Sequence, residues 1–503
     1  MPAHWLSTVS LDRIERRLDP ASAAPVWRQL YKALRDLVVD GHVLPGARLP
    51  SSRALAAALG ISRHSVVTAV EQLVAEGYLV GRRGSGTFVS DHFAARAQLR
   101  LQPPMRTPNL SRRGTLIGSL PRSPLTSDPA GDTGMAFRVG IPAVDAFPTR
   151  LWPRHLARAW ETSSVSLGYR DPLGVSELRE EIADYLLASR GLRCVKEQIV
   201  VVAGSQMALG ICANLLLDPG DQIAVEDPGY LGAHGAFRAG GAQLRPIPVD
   251  AEGLDVQALE LASPPPRAAY VTPTHQFPTG VRMSIERRMA LLVWAERHDA
   301  WIIEDDYDSE FRYGSRPLDP LAVLDRDGRV IYIGTFSKVM FPSLRLGYLV
   351  LPPVLIDGFA AASLSSTIHP PPLEQLALAT FMQDGHFARH LLRTKDLHAE
   401  RRATLLDECA RQLGGVLDVQ PAEAGLHLTG TLPAWSRDTD VVDEAQRRGI
   451  DVWALSTHAV VSHPNGLLLG YGGATPAQIS TGIHLLRTAI ERSSASVVDH
   501  LHR

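Results

Sequence analysis

The sequence predicts a chain in two parts. A small helix-turn-helix unit finished by a two-stranded wing comes first, and a large α/β unit on a mainly parallel sheet follows. Three observations predict this. At 503 residues the chain exceeds what one hydrophobic core supports. Its first 90 residues read as short helices joined by tight turns, then two short strands around a basic, glycine-rich tip. Beyond residue 198, apolar strand runs alternate with helical stretches, and polar or aromatic clusters fall at the ends of those runs.

Composition sets the bounds. Hydrophobic residues make up 45% and charged residues 21%, ordinary for a water-exposed globular chain. The net charge of -2 conceals a split: residues 1–133 hold 17 Lys/Arg against 10 Asp/Glu, a local +7, so the remainder carries -9. A basic front on an acidic body suits a polyanionic partner for the front. Cys194, Cys212 and Cys409 have no metal-ligand spacing and suit a reducing cytoplasm. No signal peptide is read at the start, and no apolar run is long enough to span a bilayer. A cytoplasmic protein with no metal and no membrane partner is expected.

In the front unit, residues 1–90, Leu30, Leu34, Leu37 and Val38 recur at helical spacing from Val26 to Val39. Leu44-Pro45-Gly46 turns the chain, and Ser51 or Ser52 caps a short helix from Arg53 to Leu59. Gly60 breaks that helix. Ser62 caps a third, running to about Glu76, with Val66, Val67, Val70, Leu73 and Val74 as its buried stripe. Tyr78–Val80 and Thr87–Val89 read as the strands of a wing, with Arg82-Arg83-Gly84-Ser85-Gly86 at its tip. Ser62, Arg63, His64 and Ser65 open the third helix, the end from which side chains reach base edges. Arg83 and the glycine backbone of the tip can approach phosphate closely.

Residues 91–133 are read as a basic linker of net charge +3, rich in Pro, Ser and Arg. Pro103, Pro104, Pro108, Pro121, Pro124 and Pro129 forbid a long helix, so an extended tether is expected.

In the large unit, residues 134–503, six strands are predicted: Gln198–Val202, Gln222–Val225, Ala268–Val271, Ala300–Ile303, Val330–Ile333 and Gly347–Leu351. Ser205 and Gln206 follow the first and open a helix whose free N–H groups suit a phosphate. Tyr230 follows the second strand and offers a ring to stack upon. His275 and Gln276 follow the third, Asp305 and Tyr307 the fourth, Thr335, Ser337 and Lys338 the fifth, with Arg345 soon after. A lysine amine forms a Schiff base with an aldehyde cofactor, and pyridoxal phosphate also needs an acid beside its ring nitrogen. Either motif alone would read as a surface loop; the two at successive strand ends read as one site.

The front unit, with Leu-Pro-Ser-Ser-Arg at 49–53, Leu-Gly-Ile-Ser-Arg at 59–63 and Gly-Ser-Gly-Thr-Phe-Val at 84–89, resembles the GntR-type winged helix-turn-helix. That resemblance implies DNA contacts from Arg53, Ser62, Arg63, His64, Ser65, Arg83 and Gly84. Val67 departs from relatives that carry a basic residue there. From about Gly140 onward the order of motifs resembles the fold-type I aminotransferases, PLP-dependent transferases with an α/β fold. Lys338 is then the residue of the internal aldimine, Asp305 the partner of the pyridine nitrogen and Tyr307 that of the ring hydroxyl. Tyr230 stacks on the ring, while Ser205, Gln206, Thr335, Ser337 and Arg345 hold the phosphate. Tyr169 reaches the phosphate of a neighbouring subunit, which implies a homodimer. His275 or Gln276 falls near the ring oxygen, where aminotransferases carry Asn; the Phe277 before Pro278-Thr279-Gly280 departs from that pattern. A second departure lies at 465–471, where Leu468 takes the place of the arginine that grips a substrate carboxylate. His427 is either a replacement for it or a histidine at the core edge.

A GntR-like winged helix fused through a linker to an aminotransferase-like domain resembles the MocR family of bacterial regulators. The resemblance implies a homodimer on double-stranded promoter DNA, sensing a small molecule at a pyridoxal 5'-phosphate site. That molecule is pyridoxal phosphate itself, as in the PdxR-like branch that controls vitamin B6 synthesis, or an amine or amino acid, as in regulators of amine, taurine or amino-acid catabolism. At most vestigial transaminase activity is expected; a working aminotransferase and a structural protein with an empty pocket are the alternatives.

Overall fold

A computed structural model describes residues 8–19, 21–91, 110–120, 136–161, 168–314 and 319–501. The chain divides into two compact units, Met1–Asn109 and Leu110–Arg503. No helix among the described residues is long and apolar enough to cross a membrane.

The first unit packs helices Thr8–Glu15, Val26–Val39, Ser52–Leu59 and Arg63–Ala75 against β1 (Leu79–Arg82) and β2 (Gly86–Val89). Val26–Val39 buries Leu30, Ala33, Leu34, Leu37 and Val38, a stripe at three- and four-residue spacing. Ser51 caps the next helix by accepting from the Ala54 N–H, and Gly60, at φ 63°, ends it in the left-handed conformation glycine tolerates. Ser62 caps Arg63–Ala75. That helix buries Val66, Ala69 and Leu73 rather than the wider valine stripe; Val74 is exposed. At 100° per residue, positions 66, 69 and 73 form one line and position 74 falls off it. β1 and β2 pair antiparallel from Leu79↔Val89 to Arg82↔Gly86, so the turn is Arg83-Gly84-Ser85 and Arg82 belongs to a strand. Ile14, on the helix the sequence did not announce, joins this core.

The second unit is built on an eight-stranded sheet of order β3-β10-β9-β8-β7-β4-β5-β6. Its strands are β3 (Ile199–Val202), β4 (Gln222–Asp227), β5 (Gln243–Asp250), β6 (Gly253–Leu254), β7 (Ala268–Val271), β8 (Trp301–Asp306), β9 (Val330–Thr335) and β10 (Gly347–Val350). The strands β5, β4, β7, β8 and β9 run parallel to their neighbours in that group. By contrast, β10 runs antiparallel to both β3 and β9. Apolar clusters cover both faces, one around Leu178, Ile182, Ile199 and Phe381, another around Leu209, Cys212, Val225 and Ile303. A second sheet, of order β11-β12-β14-β13, packs under helix Pro476–Leu501; its strands are β11 (Asp418–Val419), β12 (His427–Thr431), β13 (Trp453–Ala454) and β14 (Gly466–Gly470).

Within residues 91–133, the described part is not extended. Arg112–Ser119 is a helix, capped by Ser111, whose hydroxyl accepts from the Gly114 N–H at 3.0 Å. It occupies the proline-free window between Pro108 and Pro121. Arg113 Nε donates to the Ala239 carbonyl at 2.8 Å, which ties this helix to helix Leu231–Gly240.

Candidate functional site

The C-terminal ends of β4, β7, β8 and β9 surround a cavity of about 810 Å³. Ser205, Gln206, Tyr230, Asp305, Tyr307, Thr335, Ser337, Lys338 and Arg345 all line it. Parallel strands bring these residues together because each enters the sheet from the same side and ends at the same edge.

Lys338 follows β9 by three residues. Its Nζ donates to the Gly140 carbonyl at 2.8 Å. Burial brings its pKa down to about 8, against the pull of the Asp308 and Asp305 carboxylates. The amine is thus near the point where it becomes a nucleophile at neutral pH. Asp305, next to last in β8, is pushed up to about 7 by burial, although the Tyr270 hydroxyl donates to its Oδ2 at 2.8 Å. Its Oδ1 is buried with no partner, an acceptor without a donor in a residue that lines the cavity.

Tyr307 Oη donates to the His275 carbonyl and lies 3.0 Å from His275 Nδ1. The same Nδ1 lies 3.1 Å from Asp308 Oδ2. His275 therefore stands behind Tyr307 and Asp308 instead of lining the cavity, unlike its expected place near a ring oxygen. Gln276 is also spent on structure: its amide bridges Glu226, Pro228 and Thr279.

Tyr230 closes one wall, with Gln206 Nε2 donating to its hydroxyl at 3.3 Å. A Cβ on Gly232 would come 2.4 Å from the Tyr230 ring and 2.3 Å from Gln206 Nε2, so only glycine admits this arrangement. Ser205 and Gln206 open helix Ser205–Leu216, whose first N–H groups have no helical acceptor. Arg345, at φ 52°, donates from Nη2 to the Ala203 carbonyl at 3.2 Å, and a Cβ on Gly204 would sit 2.9 Å from that nitrogen. The Ser337 hydroxyl is buried with no partner, and its N–H donates to Thr335 Oγ1 at 3.2 Å. A helix N-terminus, two hydroxyls and a guanidinium form a cradle for an anion.

Tyr169 lies outside this assembly. It is 84% exposed and its ring meets His369 at 6.1 Å. His427 does line the cavity; its Nε2 lies 3.1 Å from the Pro278 carbonyl, and burial holds its pKa well below the ordinary value. Leu468 is buried among Val139, Phe277 and Trp453. Tyr270, Asp308 and Trp453 escaped the sequence reading. Tyr270 looked like an apolar strand residue; only the register Tyr270↔Ile303 brings its hydroxyl near Asp305.

On the first unit, Arg53, Arg63, His64, Arg83 and Gly84 are exposed. Arg63 Nε lies 3.4 Å from Ser52 Oγ. Ser62 and Ser65 hydroxyls lie 2.9 Å apart, and Ser62 also accepts the Ser65 N–H, so both act in the helix cap. Gly84 has φ 78° at the wing tip. Arg48, which the sequence reading passed over, lays its guanidinium against Gly86, where a Cβ would stand 3.0 Å away.

The family description "Aminotransferase class I and II" matches residues 147–459, and "Bacterial regulatory proteins, gntR family" matches residues 27–89. The chain is 41% identical over 491 residues to the probable rhizopine catabolism regulatory protein MocR of Rhizobium meliloti, covering 96% of this chain and 98% of that protein. It is 35% identical over 461 residues to the pyridoxine biosynthesis transcriptional regulator PdxR of Corynebacterium glutamicum, covering 90% and 94%. Among solved structures, the α-aminoadipate aminotransferase LysN of Thermus thermophilus, complexed with N-(5'-phosphopyridoxyl)-L-leucine, superposes with a TM-score of 0.67 at 28% identity, covering 72% of this chain and 94% of LysN. The chain therefore belongs to the MocR family, transcriptional regulators that join a GntR-type winged helix-turn-helix to a domain of the aminotransferase fold.

Proposed function

We propose that this regulator binds promoter DNA as a homodimer and senses a small molecule through pyridoxal phosphate held at Lys338. The observation that carries the reading is the unpartnered Oδ1 of buried Asp305, in the same cavity as a lysine whose amine is brought down to about 8. Asp305 would accept from the pyridine nitrogen and Tyr307 would face the ring hydroxyl. Tyr230 would cover the ring face. Ser205, Gln206, Thr335, Ser337 and Arg345 would hold the phosphate. Tyr169, exposed in the single chain, is free to serve a partner's phosphate. Once bound, the cofactor supplies an aldehyde that reacts with amines, which gives a regulator a means of recognising one.

The protein's own contribution is to hold charge in place. Tyr270 orients Asp305, and His275 fixes the Tyr307 hydroxyl. The pocket also reaches the linker: Leu120, directly after helix Arg112–Ser119, lines the cavity alongside Gly235, Ala236 and Ala239. A ligand that moves helix Leu231–Gly240 would thus move helix Arg112–Ser119 of the linker, and it would bias the DNA-binding heads only if it binds two arrangements unequally. On the first unit, Arg63 and His64 would reach base edges while Arg53, Arg83, Arg48 and Gly84 face phosphates.

A working aminotransferase is the second reading, supported by the complete set of Lys338, Asp305 and Tyr307. The first test is cofactor binding. Purified protein incubated with pyridoxal phosphate and reduced with borohydride is expected to gain one cofactor mass per chain, and Lys338→Ala none. A wild-type chain that gains no mass would contradict the reading; rapid turnover of common amino acids would favour the enzyme.

A further inference from the structure

The cavity has one wall that cofactor chemistry does not use. It is built from Val139–Ile141, Phe277, Leu426, His427 and Trp453. Among the described lining residues the cations are Lys338 and Arg345, and Arg345 donates to the Ala203 carbonyl. His427, depressed by burial, offers no charge near neutral pH. Leu468, paired with Thr429 and Trp453 across the second sheet, keeps the ground behind this wall apolar. A carboxylate placed here would be desolvated without a counter-charge, which is costly. It would also come near Asp308, a residue of the cavity lining whose carboxylate is held by His275 Nδ1.

We propose that this wall selects a primary amine that carries no carboxylate. The inference rests on the reading of the site as a pyridoxal-phosphate sensor and names the class of molecule it senses. Asp308 supplies the negative charge an ammonium needs as it enters. His275 Nδ1, 3.1 Å from Asp308 Oδ2, fixes that carboxylate in place. Tyr307, Phe277 and Trp453 add aromatic rings, surfaces that favour a cation or an apolar body and give a carboxylate nothing. An α-amino acid presents the same amine together with a group the wall repels, so discrimination should follow from the carboxylate alone.

Matched pairs isolate that variable: histamine with histidine, tyramine with tyrosine, and ethanolamine with serine. Each would be titrated into the full-length, cofactor-loaded protein by absorbance and by calorimetry. The expected result is that, in the pairs that bind, the amine does so at least tenfold more tightly than its amino acid. Asp308→Asn should weaken the amine and narrow the gap. Leu468→Arg should move preference toward the amino acid, with Leu468→Met as the control for packing. Amino acids that bind as tightly as their amines, or a complete absence of binding by all three amines, would overturn the inference while leaving the cofactor reading intact. Failure to load pyridoxal phosphate at all would sink the underlying reading and this inference with it.

Discussion

Two neighbours on one strand, Asp305 and Asp306, meet opposite surroundings. Asp306 turns toward helix Ser176–Arg190, where Arg190 Nε lies 3.1 Å from its Oδ2 and the Tyr332 hydroxyl donates at 2.5 Å. Arg190 also meets Glu310 at 2.7 Å, and Tyr185 donates to Glu310 at 2.6 Å. Burial, the largest influence, pushes Asp306 up, but Arg190 together with hydrogen bonds from Ser309 and Tyr332 brings the net shift downward. Asp305 turns the other way, into the cavity, with a tyrosine hydroxyl and no cation bonded to it, and rises to about 7. Both carboxylates are buried, so burial does not separate them; the counter-charge does. Where the protein supplies the counter-charge the carboxylate serves the fold, and where it withholds one the carboxylate awaits a ligand.

The largest expected effect breaks the side that has a counter-charge. Arg190→Ala would leave Asp306 and Glu310 buried without their cation, at a cost of about 3–5 kcal/mol. Thermal melting should fall by many degrees or soluble protein should be lost; an unchanged melting curve would remove the contrast between the two carboxylates.

Asp305→Asn sharpens the comparison from the other side. Because the folded apoprotein holds the Asp305 proton up to about pH 7, this group's contribution to stability is full below about pH 4. It is lost as pH rises toward 7. The amide does not titrate, so the variant should be more stable than wild type at pH 8, by roughly 1–4 kcal/mol, and melt higher, with the gap closing toward pH 4. It should also bind pyridoxal phosphate more weakly. Absence of a pH-dependent gap in melting temperature would show that Asp305 already has a counter-charge.

The motifs of both carboxylates were legible in the sequence, but their division of labour was not. Lys338, Asp305, Tyr230 and Ser205 declared themselves because parallel strands deliver their chemistry at one edge, and each motif sits directly after an apolar run. The strand β5 hid because Pro246 and Pro248 interrupt its pattern, as an outlying strand permits. The second sheet hid because β11 and β13 are two residues long. The helix Arg112–Ser119 was masked by the prolines on either side of it. Asp308 and Trp453 reach the cavity from a loop and from the second sheet, and no local pattern announces such convergence. His275 fell in the right neighbourhood but one layer back, because Tyr307 and Asp308 occupy the space between it and the cavity.

A smaller effect separates the units. Arg63→Ala should weaken specific DNA binding by about 1–3 kcal/mol while leaving melting and cofactor uptake unchanged. Unaltered affinity in a binding titration would move the recognition surface elsewhere. The smallest expected effect is steric. Gly232→Ala would push Tyr230 and Gln206 aside, so pyridoxal phosphate affinity should drop several-fold with Asp305 and Asp306 both undisturbed. A variant that binds as wild type would show that Tyr230 does not cover the ring.

The most direct test of a regulator wired to its cavity is the affinity of the full-length chain for one DNA duplex, chosen for tight binding to the apoprotein, measured with and without pyridoxal phosphate. The expected result is a change of at least about fivefold for the wild type, the lower end of ordinary coupling between sites, and none for Lys338→Ala. Equal wild-type affinities in the two states, at cofactor concentrations that saturate the protein, would contradict the claim that this cavity controls DNA binding.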